Sequence, residues 1–172
     1  MSKETLNVIG KVDISIRKFI EDPNGNITLE NGKKGRYENW EKQKIKNLIT
    51  TNGAYFLLTQ MYQKTGIAVN GANYIALSTD STTPDISDIL LIDEIEDSGL
   101  ERTQGSIGIV STTKEANISN IFTLTNNVNN ISKIGLFNQA TSGILVHEAL
   151  LDIALNLELG DQIRIWWIIS FS

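Results

Sequence analysis

The segment 162–171 carries the clearest β-strand signal of this chain. Ile163, Ile165 and Trp167 share one side of an extended backbone, and Trp166 takes the other side. Successive side chains of a strand point to opposite faces of a sheet, so this period of two predicts a β-strand. Both faces are largely apolar after Arg164, which predicts a central strand or one whose outer face meets a partner subunit. Adjacent tryptophans in such a strand predict one ring in the core and one at an interface.

The same period recurs near the N-terminus, over residues 8–17. The apolar members of this pattern include Val8, Val12, Ile14 and Ile16. The turn sequence Asp22-Pro-Asn-Gly-Asn26 then predicts a reversal, after which residues 27–29 return as the second strand of a hairpin. Residues 31–46 are polar and hold six of the fifteen basic residues, which indicates an exposed connection.

A helical period follows this connection. Apolar residues recur at i, i+3, i+4 and i+7 from Ala54 to Met61. Thr51 and Asn52 are the predicted N-cap residues, because their side-chain oxygens can accept hydrogen bonds from the first free backbone N–H groups. The sequence therefore predicts one amphipathic helix that ends at Gly66.

The rest of the chain returns to β signals separated by turn residues. Further strands are predicted over residues 74–78, 105–112, 117–125, 131–138 and 144–151. Strands at this spacing predict a mainly β fold, an antiparallel β-sandwich of the jelly-roll or immunoglobulin-like type with one amphipathic α-helix. Residues 79–99 follow no single period, which indicates a crossing loop. The apolar residues of this loop are expected to pack under the sheet edge or against another chain.

Length and residue types restrict the chemistry of the chain. A chain of 172 residues predicts a single domain, with residues 1–46 as an attachment arm and 47–172 as helix plus sandwich. There is no cysteine and only one histidine, so thiol chemistry and multi-histidine metal sites are excluded. His147 and Glu148 alternate on a strand and cannot form an adjacent acid–base pair, which favours a surface or interface position for His147. We expect no enzymatic activity and no cofactor.

The charge balance restricts the partners. The formal net charge is −5, which argues against nonspecific binding of nucleic acid. No leader-like segment and no membrane-length apolar run is present in the sequence, so we expect synthesis in the cytosol and no membrane partner. The acidic string at 93–97 suggests calcium, but the spacing of an EF-hand is not met. A carbohydrate-binding module that uses Trp40 or Trp166 with this string stays the alternative from another functional class.

Several short motifs occur in a characteristic order along nearly the whole chain. They are Lys46-Asn-Leu-Ile49 with Asn52-Gly53 opening the helix, Tyr74-Ile-Ala-Leu-Ser-Thr79, Ile134-Gly-Leu-Phe-Asn138, Gly143-Ile-Leu-Val146 and Leu159-Gly-Asp161. This order resembles that of small structural proteins of tailed bacteriophages, in which a β-rich domain forms part of the virion surface. Such proteins occur as capsid decoration proteins, head-fibre bases, and tail or baseplate components.

The resemblance implies a non-enzymatic structural protein located in the virion. We expect a capsid decoration or auxiliary protein of the head that binds and stabilises the shell as a homo-oligomer. A trimer is the favoured oligomeric state. Its partner would then be the major capsid protein or another virion structural protein. A chain of one sandwich-sized domain leaves no residues for a fibre stalk, which favours the head over the alternative of a tail fibre or baseplate component.

Two groups of residues are predicted to make the contacts. The N-terminal strand and the basic connection are the predicted attachment elements, with Val8, Val12, Ile14, Ile16, Lys33, Lys34, Arg36 and Trp40. The predicted subunit contacts are Leu90, Leu91 and Trp166. Deletion of residues 1–30 is then expected to leave a folded core that no longer binds particles.

Overall fold

The computed structural model describes residues 8–62 and 71–171, with side chains for 10–60 and 71–170. The strands in chain order are β1 (Val8–Arg17), β2 (Phe19–Glu21), β3 (Ile27–Thr28), β4 (Lys34–Tyr37), β5 (Glu41–Lys46), β6 (Leu48–Ile49), β7 (Tyr74–Ser78), β8 (Thr103–Gln104), β9 (Ser106–Val110), β10 (Glu115–Thr123), β11 (Val128–Phe137), β12 (Leu145–Leu157) and β13 (Gln162–Phe171). The helix α1 (Thr51–Tyr62) lies between β6 and β7.

Two five-stranded sheets form the body of the molecule. The first has the order β5-β1-β13-β10-β9 and the second has the order β6-β12-β11-β7-β8. Ile14 and Trp167 of the first sheet and Leu77 and Ile134 of the second belong to one buried cluster, so the inner faces pack on each other. This confirms the predicted mainly β, sandwich-like architecture with antiparallel sheets, and α1 is the single helix of the described residues.

The predicted strand at 162–171 is observed with those bounds. Ile163, Ile165 and Trp167 are fully buried, whereas Trp166 is 39% exposed. β13 pairs with β1 on one side and with β10 on the other, which places it in the middle of the first sheet. One tryptophan is therefore in the core, as predicted, and the other is available on the surface.

The N-terminal strand is part of the sandwich and does not form a separate arm. β1 lies between β5 and β13, and Val12 and Ile14 are fully buried. Ile16 packs against the same core. Val12 and Ile14 are therefore not available as attachment contacts, and Ile16 is half-buried. Deletion of residues 1–30 would remove an inner strand of the sheet. The backbone of Val8 pairs with that of Phe171, and the side chain of Val8 lies outside the described residues.

The basic stretch 31–46 is also structured, which corrects its assignment as a connection. β4 is the middle strand of a small three-stranded sheet with the order β2-β4-β3. β3 pairs with β4, so residues 27–29 do not form a hairpin with the strand before them. β5 is the edge strand of the first sheet, where Lys44 is exposed and Ile45 is buried. A period of two was present here, but on an edge strand its outer positions are charged and resemble a solvated connection.

The helix starts as the sequence predicts, but a different residue caps it. The Thr50 hydroxyl accepts a hydrogen bond from the Gly53 N–H at 2.9 Å and donates one to the Leu145 carbonyl. A Cβ added to Gly53 would lie 2.1 Å from the Val146 carbonyl oxygen, so only glycine allows α1 to approach β12 this closely. The predicted end at Gly66 lies outside the described residues.

We expect Thr50→Ala to lower the free energy of unfolding by about 1–2 kcal/mol, because it removes both the helix cap and a buried hydrogen bond. Thr59→Ala is the matched control, since the Thr59 hydroxyl only donates to the Phe56 carbonyl within the helix. Urea denaturation, monitored by circular dichroism, measures the free energy of unfolding of both variants. Equal stability of Thr50→Ala and Thr59→Ala would show that the cap does not hold the helix.

The loop at 79–99 covers the outer face of the second sheet. The Ser78 hydroxyl donates to the Ile92 carbonyl, and the Ile95 N–H donates to the Leu77 carbonyl at 2.8 Å. Leu91 is buried against Phe137 in a second small apolar cluster. The loop therefore packs Leu91 against the sheet, in line with one of the two predicted alternatives, so Leu91 is a core residue and not a subunit contact. Leu90 stays 55% exposed.

Candidate functional site

The outer face of the first sheet carries a cationic surface with a tryptophan at its centre, which we call the basic tryptophan face. The strand register places Asp13 between Lys44 and Trp166, and places Ser15 between Lys42 and Arg164. The members of the basic tryptophan face are Lys11, Asp13, Ser15, Arg17, Lys42, Lys44, Lys46, Glu115, Asn117, Arg164, Trp166 and Ile168. Four adjacent strands contribute to it, so their backbone hydrogen bonds fix its shape.

Charge is strongly segregated onto this face. It holds six cationic side chains and two carboxylates, which gives a net charge of +4. The whole chain has a formal net charge of −5, so all remaining residues together carry −9. A surface of this sign on an acidic protein attracts an acidic partner and orients its approach.

Trp166 stands between two shallow depressions of this face. One has a volume of about 360 Å³ and includes Asp13 and Lys42 in its lining, and the other, of about 420 Å³, includes Ser119. Arg164 lines both depressions, and its Nη2 donates to the Ser15 hydroxyl at 3.3 Å. An exposed indole flanked by polar recesses is an arrangement suited to contact with another surface.

Trp40 lies at the border of the basic tryptophan face and is fixed by arginines. The guanidinium carbons of Arg17 and Arg164 lie 4.5 Å and 4.7 Å from the centre of the Trp40 ring system. Arg17 also stacks over Tyr37 at 4.1 Å and donates to the side-chain oxygen of Gln162 at 2.6 Å. These contacts hold both arginines in place. The two guanidinium groups also cover the ring of Trp40, on which a bound sugar would have to stack.

The other predicted attachment residues do not join this face. Lys33 forms an ion pair with Glu21, and Arg36 lies 3.9 Å from an Asp22 oxygen. Both belong with Lys34 to the small three-stranded sheet and its turn, where all three are exposed. Of the predicted contact residues whose side chains the structure describes, Trp40 and Trp166 are the two at this face, and Arg164 lies beside both.

The opposite side of the molecule carries acidic and apolar residues of the covering loop, which we call the acidic loop surface. Residues 79–95 contain five carboxylates and no basic residue. Two of these carboxylates are neutralised by ion pairs, since Asp80 pairs with Lys133 of β11 and Glu94 pairs with Arg102, which directly precedes β8. The acidic loop surface then consists of Asp85, Asp88 and Asp93 with the exposed apolar side chains of Ile86, Ile89, Leu90 and Ile92.

A buried charge cluster holds this loop on the sheet. The Lys133 ammonium lies 2.6 Å from Asp80 Oδ2, 3.1 Å from Thr82 Oγ1 and 3.8 Å from Glu148 Oε2. The Lys133 side chain is only 3% exposed. Burial alone raises the pKa of Asp80, but hydrogen bonds from Lys133 and Thr82 outweigh it and lower the pKa to about 2. Asp80 is therefore ionised and anchors the loop by a charge-assisted hydrogen bond.

Glu148 is the second acidic member of the buried charge cluster. Burial raises the pKa of Glu148 to about 8, and a side-chain hydrogen bond with Asp88 acts in the same direction. The same bond lowers the pKa of Asp88. At neutral pH the protonated Glu148 is the donor and the ionised Asp88 is the acceptor, which pins the middle of the loop.

The single histidine is sealed in the core. His147 is 1% exposed, so its predicted surface or interface position is wrong. Its Nδ1 lies 2.9 Å from the Asn47 amide nitrogen, and its ring lies 5.9 Å from that of Trp167. Burial lowers the pKa of His147 to about 4, so the imidazole is neutral at physiological pH. His147 faces the core and Glu148 faces the loop, in agreement with their predicted alternation.

The described residues contain no group of three or more histidine, cysteine, aspartate or glutamate side chains that could hold a metal ion. In the acidic string at 93–97, Glu94 is engaged by Arg102. Within the same described ranges, no helix is long and apolar enough to cross a membrane.

No protein-family model matches the chain, and no curated protein matches its sequence.

Sequence reasoning included Lys42, Lys44 and Lys46 in the predicted basic attachment stretch, but it missed the strand that carries them, although they alternate with Gln43 and Ile45. It also missed the buried charge cluster, whose signal is weaker. A lysine and a glutamate each interrupt an apolar run, ISKIGLF and LVHEAL. A charge inside an apolar strand indicates a buried ion pair, but the sequence does not say which residue is its partner.

Proposed function

We propose that this chain is a non-enzymatic structural protein of a tailed-bacteriophage virion, which decorates the head and stabilises the shell. It binds an acidic protein surface of the particle through the basic tryptophan face. The fold supplies a rigid sheet, and the order of motifs in the sequence supplies the virion context.

The observation that carries the proposal is the segregation of positive charge around an exposed tryptophan. A net charge of +4 on one sheet face of a chain with a net charge of −5 is suited to a partner surface of opposite sign. Tryptophan and arginine are the residue types that contribute most to protein interfaces. Trp166 on β13 is 39% exposed, and Ile121 on the neighbouring strand β10 is 48% exposed. A contact of about 800 Å² on each partner is enough for stable attachment.

A carbohydrate-binding module is the second candidate, because Trp166 borders polar recesses of the kind that hold a sugar ring. Trp40 does not support it, since two arginines stack on its ring. The proposal of a protein partner accounts for both the tryptophan and the clustered lysines, whereas a neutral glycan accounts only for the tryptophan.

The test uses particles of a phage that encodes the chain, assembled without it. Wild-type protein is expected to co-sediment with these particles, and labelled protein is expected to appear on their heads in electron microscopy. Lys42→Glu/Lys44→Glu is expected to weaken binding by about tenfold or more, because it cancels the positive charge of the face. Lys33→Glu/Lys34→Glu makes the same charge change on the small sheet and is expected to bind within about twofold of wild type.

Other results would redirect the proposal. Absence of the chain from purified virions would reject it. Label on tails would place the protein in the tail or baseplate, and competition by a soluble neutral glycan would favour the carbohydrate-binding module. Equal losses in the two charge variants would show that the basic tryptophan face is not the attachment surface.

A further inference from the structure

We infer that the basic tryptophan face of one copy docks on the acidic loop surface of a second copy, so that the chain associates head to tail. The inference rests on the proposed function, because it names the partner through which a structural protein of this kind oligomerises. Both surfaces are present on the same chain.

The two surfaces are complementary in charge. The basic tryptophan face carries +4. The acidic loop surface carries three carboxylates, and only Asp88 lies near the buried Lys133. Asp85 and Asp93 are exposed, and Asp88 is half-buried. Two copies of the same surface would repel each other, but the two different surfaces attract.

The two surfaces are also complementary in apolar content. Ile89 and Leu90 are 63% and 55% exposed on the acidic loop surface. The basic tryptophan face offers Trp166, with Ile121 beside it, for contact with them. Protein interfaces typically have large apolar side chains at the centre and charged or polar side chains at the rim, and both surfaces fit this description.

Their positions decide the kind of assembly. One surface lies on the outer side of the first sheet and the other covers the outer side of the second sheet, so they face in opposite directions. A contact between two different surfaces is heterologous, and opposed surfaces lead to an open row of copies and not to the closed trimer that the sequence suggested. On a particle, the first copy would use its basic tryptophan face for the shell and offer its acidic loop surface to the next copy.

Two variants test this, each with one of the two surfaces disabled. The face variant is Lys42→Glu/Lys44→Glu, which removes the positive charge of the basic tryptophan face. The loop variant is Ile89→Lys/Leu90→Lys, which replaces the exposed apolar pair by cations. All four side chains are exposed, so both variants are expected to fold, and circular dichroism checks this. If the loop variant does not fold, Ile89→Ser/Leu90→Ser replaces it.

The readout is the molar mass from sedimentation equilibrium of the isolated protein in low salt. Wild type is expected to show a mass that rises with concentration above the chain mass of 19.1 kDa and falls again in high salt. Each variant alone is expected to associate at least about tenfold more weakly than wild type. An equimolar mixture of the two is expected to form a dimer and nothing larger, because only one intact pair of surfaces remains.

Two control variants make the same kinds of substitution at positions outside the two surfaces. Lys33→Glu/Lys34→Glu repeats the charge change of the face variant on the small sheet. Ile109→Lys/Ile153→Lys repeats the apolar-to-lysine change of the loop variant at residues that are 79% and 69% exposed elsewhere. Both controls are expected to associate as wild type does.

The outcomes that overturn the inference are specific. Wild-type protein that stays at the monomer mass up to millimolar concentration rejects it. Variants that associate like wild type, or a mixture of folded variants that forms no dimer, also reject it. The measurement contains no particles, so its failure is distinct from a failure of particle binding.

Discussion

Replacing Lys133 with methionine is expected to lower the free energy of unfolding by about 3–5 kcal/mol at pH 7. Methionine keeps most of the volume of the lysine chain, but it leaves Asp80 ionised, 8% exposed and without its cation. The pKa of Asp80 is held at about 2 in the native protein largely by that partner, so its loss leaves an unpaired buried charge. Urea unfolding measures the change.

The double variant Asp80→Asn/Lys133→Met separates loss of charge pairing from loss of packing. It removes both charges and keeps a side-chain amide beside Thr82, so it is expected to recover about half or more of the lost stability. In Lys133→Met, amide protection from hydrogen exchange is expected to fall most in the loop at 79–95, because Asp80 anchors that segment. A stability within about 0.5 kcal/mol of wild type for Lys133→Met would mean that the cluster does not hold the loop.

Replacing Glu148 with glutamine is expected to stabilise the protein by about 2–4 kcal/mol at pH 8 and to leave stability at pH 4 unchanged. In the folded protein burial raises the pKa of Glu148 to about 8, whereas the unfolded chain has a value near 4.5. Between these two values only the folded state keeps the proton, so rising pH favours the unfolded state. Glutamine still donates a hydrogen bond to Asp88 and does not titrate, so it avoids this cost.

His147 has the opposite dependence on pH. Burial lowers its pKa to about 4, so from pH 6.5 down to about 4 only the unfolded state takes up the proton and stability falls with acid. The Glu148 and His147 contributions cancel between about pH 4.5 and 6.5. Wild type is therefore expected to be most stable on a plateau in that window, and Glu148→Gln is expected to move the optimum above pH 6.5.

Thermal unfolding between pH 4 and pH 9 checks both expectations. Glu148→Ala is the control, because it also removes the titrating group but leaves Asp88 without its donor. Identical pH profiles for wild type and Glu148→Gln would show that Glu148 is ionised in the folded protein at neutral pH.

The sequence predicted β13 and β7 with the bounds that the structure shows. Both are rich in apolar residues, and the split of Trp166 and Trp167 between surface and core followed from the period of two in β13. β5 was missed because its outward positions are lysines, and of its inward positions only Ile45 is apolar. Six residues at a sheet edge contain too few apolar positions to stand out from a solvated segment.

The candidate site was predicted only in part. Trp40 and Trp166 were identified from residue type, and the structure places both at the basic tryptophan face. Arg17 and Arg164 were not identified, although they connect these two tryptophans. They are 147 residues apart in the chain and meet because β1 and β13 are neighbours, a pairing that no local pattern specifies.

The alternation of side chains by itself determined that this chain forms amphipathic strands in a sandwich, because burial of one face follows from the period alone. Only the tertiary structure decided which strands are neighbours. That choice placed β1 inside a sheet, collected cations from three strands on one outer face, and brought Lys133, Asp80 and Glu148 together under a loop. Charge pairing and surface charge depend on distances in space between residues far apart in sequence, and those distances are set by strand order.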